Sequence, residues 1–333
     1  MPLLQLPPET LRQIFDQLDS SFFHEDLGRL TICKQWFDFA LPACLKCIAL
    51  SQEVLRNLII STAIKKPSPL ENSLETLDLN LRGYQYGIST PYGNPVKTSK
   101  KALNDDLAQL AIIVQQSHRL RTLCVRAWSS SSPNALSRPE DYLSLSTVRA
   151  LLSVENLSVL VLDLSGSSLN PSGQQGHECH ICPSIGALLH TLRTLHLRMR
   201  SICPDVLKTQ NLDSTLHLST VAINLSLIAD QPNLTSAAHS KPCGSQGGGL
   251  IQLQADIREQ AEALVTRMAS PKTMRILTHS LPLFEIKSLD ILTGKRMILD
   301  DDAAWDDDGK TVQEDSEPES EILDEDFAGF LDD

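Results

Sequence analysis

A six-residue motif of the form LxxLxL recurs along most of this chain and constrains its fold more than any other feature. The copies are LETLDL (74–79), LRTLCV (120–125), LSVLVL (157–162), LRTLHL (192–197), LSTVAI (218–223) and IKSLDI (286–291). Within each copy apolar residues alternate with other residues, as in a strand that buries one face, and several copies follow a segment with helical spacing. The pattern therefore predicts a series of helices and strands.

Units of one helix and one strand, each apolar on one side, can bury those sides only by stacking on neighbouring units. The expected fold class is α/β, with an irregular solenoid over residues 51–299 whose parallel sheet lines a concave face. These units resemble leucine-rich repeats. Their spacing is irregular, because successive copies start 26 to 68 residues apart, against about 20–29 residues in regular repeats. The number of units therefore stays open.

Residues 250–280 depart from this rhythm and are predicted to be helical. Apolar residues with helical spacing favour one long helix; they are Leu253, Ile257, Ala261, Leu264 and Met268. A second helix is predicted near Met274 to Leu277. Together these helices would cap the far end of the array.

The first fifty residues carry a pattern of three short apolar helices. After Pro7 and Pro8, apolar residues recur at i, i+3, i+4 and i+7; they are Leu11, Ile14, Phe15 and Leu18. A second helix is predicted from Glu25, and a third contains Trp36 and ends at Pro42. So short a block can hardly bury enough apolar surface to be stable alone. It should dock either on the rest of the chain or on another protein.

This block resembles an F-box. The match comprises Leu6, Pro7, Glu9, Ile14, Leu18, Asp26, Leu27, Leu30, Lys34 and Trp36. The resemblance implies that residues 1–50 seat on the Skp-type adaptor of a cullin-RING (SCF-type) ubiquitin ligase, while residues 51–299 hold a protein substrate. It implies adaptor contact for Leu6, Pro7, Ile14, Leu18, Leu27, Leu30 and Trp36, with Phe15 and Phe37 packed inside the unit. F-box proteins with degenerate repeats of this kind are common in filamentous fungi.

The resemblance implies a substrate-recruiting subunit that performs no chemistry of its own. In agreement, the sequence contains no GxSxG, P-loop, GxGxxG or HExxH motif. Three alternatives stay open: an interaction scaffold without ligase association, a small metal-dependent module around residues 177–182, and an N-terminal block that merely caps the repeats.

Residues between the leucines are predicted to face outward on the concave sheet, where they could contact a substrate. The candidates are Asp78, Arg126, Asp163, His196, Arg198 and Asn224. Aromatic residues outside the motif are alternative anchors; they are Tyr84, Tyr86, Tyr92 and Trp128.

The chain has eight cysteines, most of them in apolar segments, which is typical of reduced thiols inside the cell. We therefore expect a cytoplasmic or nuclear location and no cofactor. One short segment, GHECHICP (176–183), offers possible zinc ligands in His177, Cys179, His180 and Cys182. Such crowding rarely makes a closed tetrahedral site, which normally joins two separated pairs of ligands.

The net charge of −12 is concentrated at the C-terminus, because residues 300–333 hold sixteen acidic residues and one lysine. That composition predicts a disordered acidic tail. The remainder is close to neutral and lacks the dense basic stripe of a nucleic-acid-binding protein. No run approaches the length of a membrane span, so neither nucleic acid nor membrane is an expected partner.

Overall fold

The first five copies of the LxxLxL motif form neighbouring parallel strands in the computed structural model of the chain. The structure describes residues 6–61, 69–82, 95–128, 142–167, 169, 180–210, 215–227, 239–244, 249–280, 285–300 and 303–312. The five strands are β2 (Thr76–Arg82), β3 (Thr122–Trp128), β4 (Val159–Leu164), β5 (Thr194–Met199) and β7 (Thr220–Asn224). They lie between β1 (Cys47–Ser51) and β9 (Thr273–Ser280). The chain is therefore a mixed α/β protein with a large, mostly parallel sheet.

The strands share one register, so that equivalent positions of the motif lie side by side. Successive partners along the ladder are Thr76, Thr122, Val159, Thr194, Thr220 and Thr273. The next residue of each motif strand is buried; these residues are Leu77, Leu123, Leu160, Leu195 and Val221. Because side chains alternate along a strand, this register places every such residue on the same face of the sheet.

Helices cover that apolar face. They are α4 (Gln52–Ile60), α5 (Pro69–Ser73), α6 (Pro95–Gln116), α7 (Leu145–Leu152), α8 (Cys182–Leu188) and α9 (Leu250–Val265). Their apolar sides and the leucines of the strands form one continuous buried cluster, in which Leu107, Leu151 and Ile257 are almost fully buried. Helix α9 confirms the long helix predicted from residue 250.

Two predictions after α9 are wrong, one for the sixth motif copy and one for the second helix. Residues 286–291 belong to β10 (Glu285–Asp290), which runs antiparallel to β9, so the prediction of a sixth parallel repeat strand there is wrong. The sixth parallel place after β1 is taken by β9, where a helix had been predicted near Met274. The run from Met274 to Leu277 is buried on both faces. Because apolar residues fall on both faces of this run, Met274 and Ile276 on one and Leu277 on the other, it lacks the strict alternation of a strand with one buried face and cannot be assigned by period alone.

The C-terminal part of the sheet is antiparallel and includes residues predicted to be disordered. Strand β11 (Arg296–Leu299) pairs with β10 and with β12 (Lys310–Thr311). We call residues 303–312 the C-terminal strap. Its Ala303 and Trp305 pack on a small apolar cluster that includes Leu277 and Leu299. The prediction of a disordered tail from residue 300 is therefore wrong for the strap, and residues 313–333 lie outside the described residues.

The N-terminal block contains α1 (Pro8–Gln17), α2 (Ser20–His24), a 3₁₀ turn (Leu27–Leu30) and α3 (Lys34–Cys44). Helix α2 was not predicted, and the predicted second helix is only the 3₁₀ turn. Pro42 does not end α3, which continues to Cys44. A proline removes one hydrogen bond to the residue four positions earlier. Here that residue is the exposed Asp38, whose carbonyl group can be hydrated.

Candidate functional site

The face of the sheet opposite the helices carries two rows of mainly polar residues, which we call the polar face. The first row consists of Asp78, Cys124, Val161, His196, Ala222 and Arg275, and the second of Asn80, Arg126, Asp163, Arg198, Asn224 and Leu277. The shared register brings all six predicted substrate-contact residues onto this one surface. Arg275 was missed because β9 had been predicted as a helix.

Two ion pairs lie on the polar face, and they differ in exposure. Arg126 Nη1 is 2.7 Å from Asp78 Oδ2, and these side chains remain 37% and 31% exposed. Arg198 donates two hydrogen bonds to the carboxylate of Asp163, at 2.8 and 2.5 Å, and these side chains are only 12% and 5% exposed. The first pair is therefore open to a partner, whereas the second is largely enclosed.

The C-terminal strap and the end of β3 cover Arg198 of the second pair. The guanidinium carbon of Arg198 lies 5.2 Å from the ring centroid of Trp305 in the strap and 5.5 Å from that of Trp128 at the end of β3. Trp305 also lies against His196, with ring centroids 6.1 Å apart. A cation between two aromatic faces gains electrostatic as well as packing stabilisation. The strap is thus fastened to the polar face through Arg198.

Acidic residues of the strap meet the basic residues of the first row. Arg275, which is buried, donates to the carbonyl oxygen of Asp307 and to Asp308 Oδ1 at 2.6 Å. Asp306 Oδ2 lies 3.8 Å from His196 Nε2. Burial lowers the pKa of His196, against an opposing effect of Asp306. His196 is therefore neutral at neutral pH, and Arg275 provides the main ionic contact to the strap.

The predicted substrate-contact residues consequently divide into two groups. Asp78 and Arg126 are accessible, as is Trp128, whose Nε1 donates to Asn80 Oδ1 at 3.1 Å in an exposed position. The others are largely enclosed: Asp163, His196, Arg198 and Asn224. Asn224 uses its Oδ1 to accept the backbone N–H of Ser226 at 2.9 Å. Tyr84, Tyr86 and Tyr92 lie outside the described residues.

A second candidate surface lies on the N-terminal block, whose small core is separate from that of the sheet. The core consists of Phe15, Phe23, Leu30, Ala40, Ala43 and Cys44, with Leu18, Trp36 and Phe39 packed against it. The rings of Phe15 and Trp36 meet edge to face, with their centroids 4.7 Å apart. The prediction that Phe15 lies inside is confirmed, but the same prediction for Phe37 is wrong, because Phe37 is 38% exposed.

The residues predicted to contact an adaptor differ in solvent exposure, from exposed to buried. Pro7 and Leu27 are exposed, Leu6, Ile14, Leu18 and Trp36 are partly buried, and Leu30 is buried in the core of the block. Leu27 is 61% exposed and lies in the 3₁₀ turn. Asp26 caps this turn by accepting the backbone N–H of Gly28 at 2.8 Å. The capped turn therefore holds Leu27 in solvent.

Several large apolar side chains are exposed close together in sequence on this block. They are Phe22, Leu27, Ile32 and Phe37, and Ile32 is the most exposed of them at 62%. We call these residues the apolar patch. Scattered exposed apolar residues are ordinary, but a concentration of them on one small block makes that block a candidate surface for binding another protein.

Of the possible zinc ligands predicted from the sequence, His180 and Cys182 are described, and His177 and Cys179 lie outside the described residues. His180 and Cys182 lie beside Cys203 and Cys243, which are distant in sequence. Hydrogen bonds from Cys182 and Cys243 lower the pKa of the Cys203 thiol, because they stabilise its thiolate. The sequence alone gave no sign that these four residues come together.

Comparison with known proteins does not assign this chain to a family. No family model matches the sequence. A search of curated proteins likewise found no match.

Among the described residues, helices fall short of the length and apolar character needed to cross a bilayer. The function must therefore be inferred from the two surfaces themselves.

Proposed function

We propose that the chain is a substrate-recruiting F-box subunit of a cullin-RING ubiquitin ligase. The N-terminal block docks on the Skp-type adaptor, and the polar face presents a protein substrate. In this proposal the helices and in-register strands constitute an irregular leucine-rich-repeat solenoid with β10–β12 at its C-terminal end. The proposal rests on the apolar patch of the N-terminal block together with the F-box resemblance of its sequence.

The apolar patch supports docking because the block has already completed its own core. Phe15, Phe23 and Leu30 are buried within it, so Leu27 and Ile32 are not required for folding. Covering large exposed apolar side chains with a partner removes them from water. This favours binding by about 25 cal/mol per Å² of apolar surface buried. Partly buried Ile14 and Leu18 would extend the same docking surface.

The substrate surface is the accessible part of the polar face around β2 and β3. It offers a carboxylate in Asp78, a guanidinium group in Arg126 and an aromatic ring in Trp128. Arginine and tryptophan are the residue types that most often dominate the binding energy of protein interfaces. A substrate with a complementary charged and aromatic segment would bind here, beside the strap.

The role of such a subunit is positional. Holding a substrate lysine near a charged conjugating enzyme raises its effective concentration, so that a slow bimolecular transfer becomes a fast step within one complex. No acid, base or nucleophile of this chain takes part.

The direct test is copurification of the tagged full chain with the adaptor and cullin, comparing Leu27→Asp with Ile251→Asp. Both positions are exposed, at 61% and 83%, so an aspartate at either is solvated and spares the fold. Ile251 lies in the first turn of α9, where an acidic residue is favourable. We expect Leu27→Asp to lose both partners and Ile251→Asp to retain them. Equal recovery of the adaptor with both variants would contradict the proposed docking surface.

A further inference from the structure

Four side chains with metal-binding atoms converge near the beginning of α8. They are His180, Cys182, Cys203 and Cys243, and their ligand atoms all lie within 4.8 Å of one another. Cys182 is buried, and the other two cysteines are partly buried. Three thiols and one imidazole in a small, mostly enclosed space form a donor set typical of a structural zinc site.

Two distances within the cluster match the edges of a tetrahedron around zinc. Zn–S bonds of about 2.3 Å and Zn–N bonds of about 2.0–2.1 Å place two sulfurs about 3.8 Å apart and a sulfur and a nitrogen about 3.6 Å apart. The Sγ atoms of Cys182 and Cys243 are 3.6 Å apart. Cys203 Sγ is 3.7 Å from His180 Nδ1. Nδ1 is therefore the nitrogen of His180 that faces the thiols.

The fold brings Cys203 and Cys243 together through a small parallel ladder. Strand β6 (Ser201–Ile202) pairs with β8 (Lys241–Pro242), with Ile202 opposite Pro242. The next residue of each strand is the cysteine, so the ladder delivers the two thiols side by side. Gly244, which follows Cys243, has φ of +77°, a conformation that favours glycine and turns the chain away from the cluster.

Of the other two ligands, Cys182 is the first residue of α8 and His180 lies two residues before it. This helix packs closely on a 3₁₀ turn (Pro204–Leu207) that begins just after Cys203. The closeness depends on Gly186, because a Cβ atom there would lie 2.5 Å from the backbone oxygens of Asp205 and Lys208. Arg149 Nη2 donates to the carbonyl oxygen of His180 at 3.0 Å and so fixes the residue that precedes α8.

A carboxylate lies behind the imidazole, as at many zinc sites. Asp205 Oδ2 is 3.9 Å from His180 Nε2, on the far side of the ring from the proposed ligand atom. Lys208 Nζ holds the other oxygen of Asp205 at 2.7 Å. At this distance the carboxylate does not hydrogen-bond the ring, but a small movement would let it accept the Nε2–H and so favour the tautomer that leaves Nδ1 free to bind metal.

We propose that His180, Cys182, Cys203 and Cys243 bind one zinc ion in a closed Cys₃His site. Four protein ligands complete the tetrahedral coordination, so the ion has no open position for a substrate or water. The role is structural: the ion ties α8, the 3₁₀ turn and the β6–β8 ladder into one unit. This site is independent of the docking proposed for the N-terminal block.

The test is metal analysis of the full chain purified under reducing conditions, followed by Co²⁺ titration of the zinc-depleted protein. We expect one zinc per chain, and with Co²⁺ a tetrahedral spectrum that includes thiolate charge-transfer bands. Cys243→Ser should lose the zinc, while Cys124→Ser, a partly buried cysteine on β3 away from the cluster, should retain it. His180→Cys should retain the metal with a changed Co²⁺ spectrum.

Two results would overturn the zinc site. One is a wild-type chain that purifies without zinc and gives no tetrahedral Co²⁺ spectrum. This result does not depend on whether any variant folds. The other is the finding, by mass spectrometry of chains alkylated at harvest, that Cys182 and Cys243 are joined as a disulfide in the native protein.

Discussion

Trp305 of the C-terminal strap lies against His196 of β5, with ring centroids 6.1 Å apart, and so joins the end of the described chain to the middle of the sheet. The same tryptophan faces Arg198. The strap therefore occupies the part of the polar face around β5, β7 and β9, and leaves the part around β2 and β3 accessible. Any substrate surface on this sheet must be understood with the strap in place.

Removing the ring of Trp305 should release the strap. We expect Trp305→Ala to lower the free energy of unfolding by about 2 kcal/mol, because it loses buried area and a cation–π contact. Hydrogen exchange should also accelerate at residues 303–312. Trp305→Phe, which keeps an aromatic face over Arg198, should show a smaller effect. Identical exchange in wild type and Trp305→Ala would show that the ring does not hold the strap.

The two ion pairs of the polar face should differ in energetic importance. Asp163→Ala leaves the largely enclosed Arg198 without its carboxylate, which should destabilise the fold by about 3 kcal/mol. Asp78→Ala breaks a pair that is about one third exposed, and should cost under about 1 kcal/mol. Chemical denaturation of both variants provides the comparison. A larger loss for Asp78→Ala would contradict the enclosure of Arg198 by the strap.

Acidification should destabilise the protein through His279. Burial lowers the pKa of His279 to about 4, and the positive charge of His239, stacked at 3.7 Å, adds to this effect. A histidine in the unfolded chain titrates near pH 6.5. Between these values the unfolded state binds more protons, so stability falls as the pH is lowered from about 6.5 towards 4, by on the order of 2 kcal/mol from this residue.

The pH effect is best measured as a difference between proteins, since carboxylates also titrate in this range. His279→Gln should show a weaker loss of stability between pH 7 and pH 4 than the wild type. His190→Gln, at an exposed position on the chain, should follow the wild type. A His279→Gln variant with the wild-type pH dependence would refute the assignment.

Gly186 should be necessary for the packing that forms the cysteine cluster. Gly186→Ala forces a methyl group onto backbone oxygens, which should destabilise the fold by about 1–3 kcal/mol and reduce the zinc content. Gly249→Ala is the matched control, because nothing lies within 4 Å of a Cβ atom there. Zinc analysis and thermal unfolding of both variants test this expectation. Normal zinc content and stability in Gly186→Ala would contradict it.

The sequence predicted the parallel sheet well because its signal is local. In each of the first five motif copies, alternation and leucine spacing lie within six residues, and each copy became a strand in a common register. Helix α9 was also predicted, since its apolar residues keep helical spacing over several turns. Where an element buries one face and leaves a polar face exposed, the periodicity of its apolar residues is sufficient to predict whether it is a strand or a helix.

The errors occurred where burial on two sides removed the periodic signal or where distant segments met. Strand β9 is covered by helices on one face and by the strap on the other, so apolar Leu277 lies on the face opposite to Met274 and Ile276 and interrupts their alternation. The strap itself is held by contacts with Arg198 and Arg275. Its acidic composition alone does not show that these arginines lie opposite it. Cys203 and Cys243 become neighbours only through the pairing of β6 with β8, which no spacing rule anticipates.

The most direct test of the proposed function is to titrate the purified full chain with a purified Skp-type adaptor. Calorimetry and size-exclusion chromatography would measure the binding. We predict a saturable one-to-one complex whose formation has a negative heat-capacity change, since the apolar patch around Leu27 and Ile32 becomes buried. We also predict reduced hydrogen exchange over residues 22–37 in the complex. The absence of any complex at high micromolar concentrations, with the chain folded, would contradict the proposal.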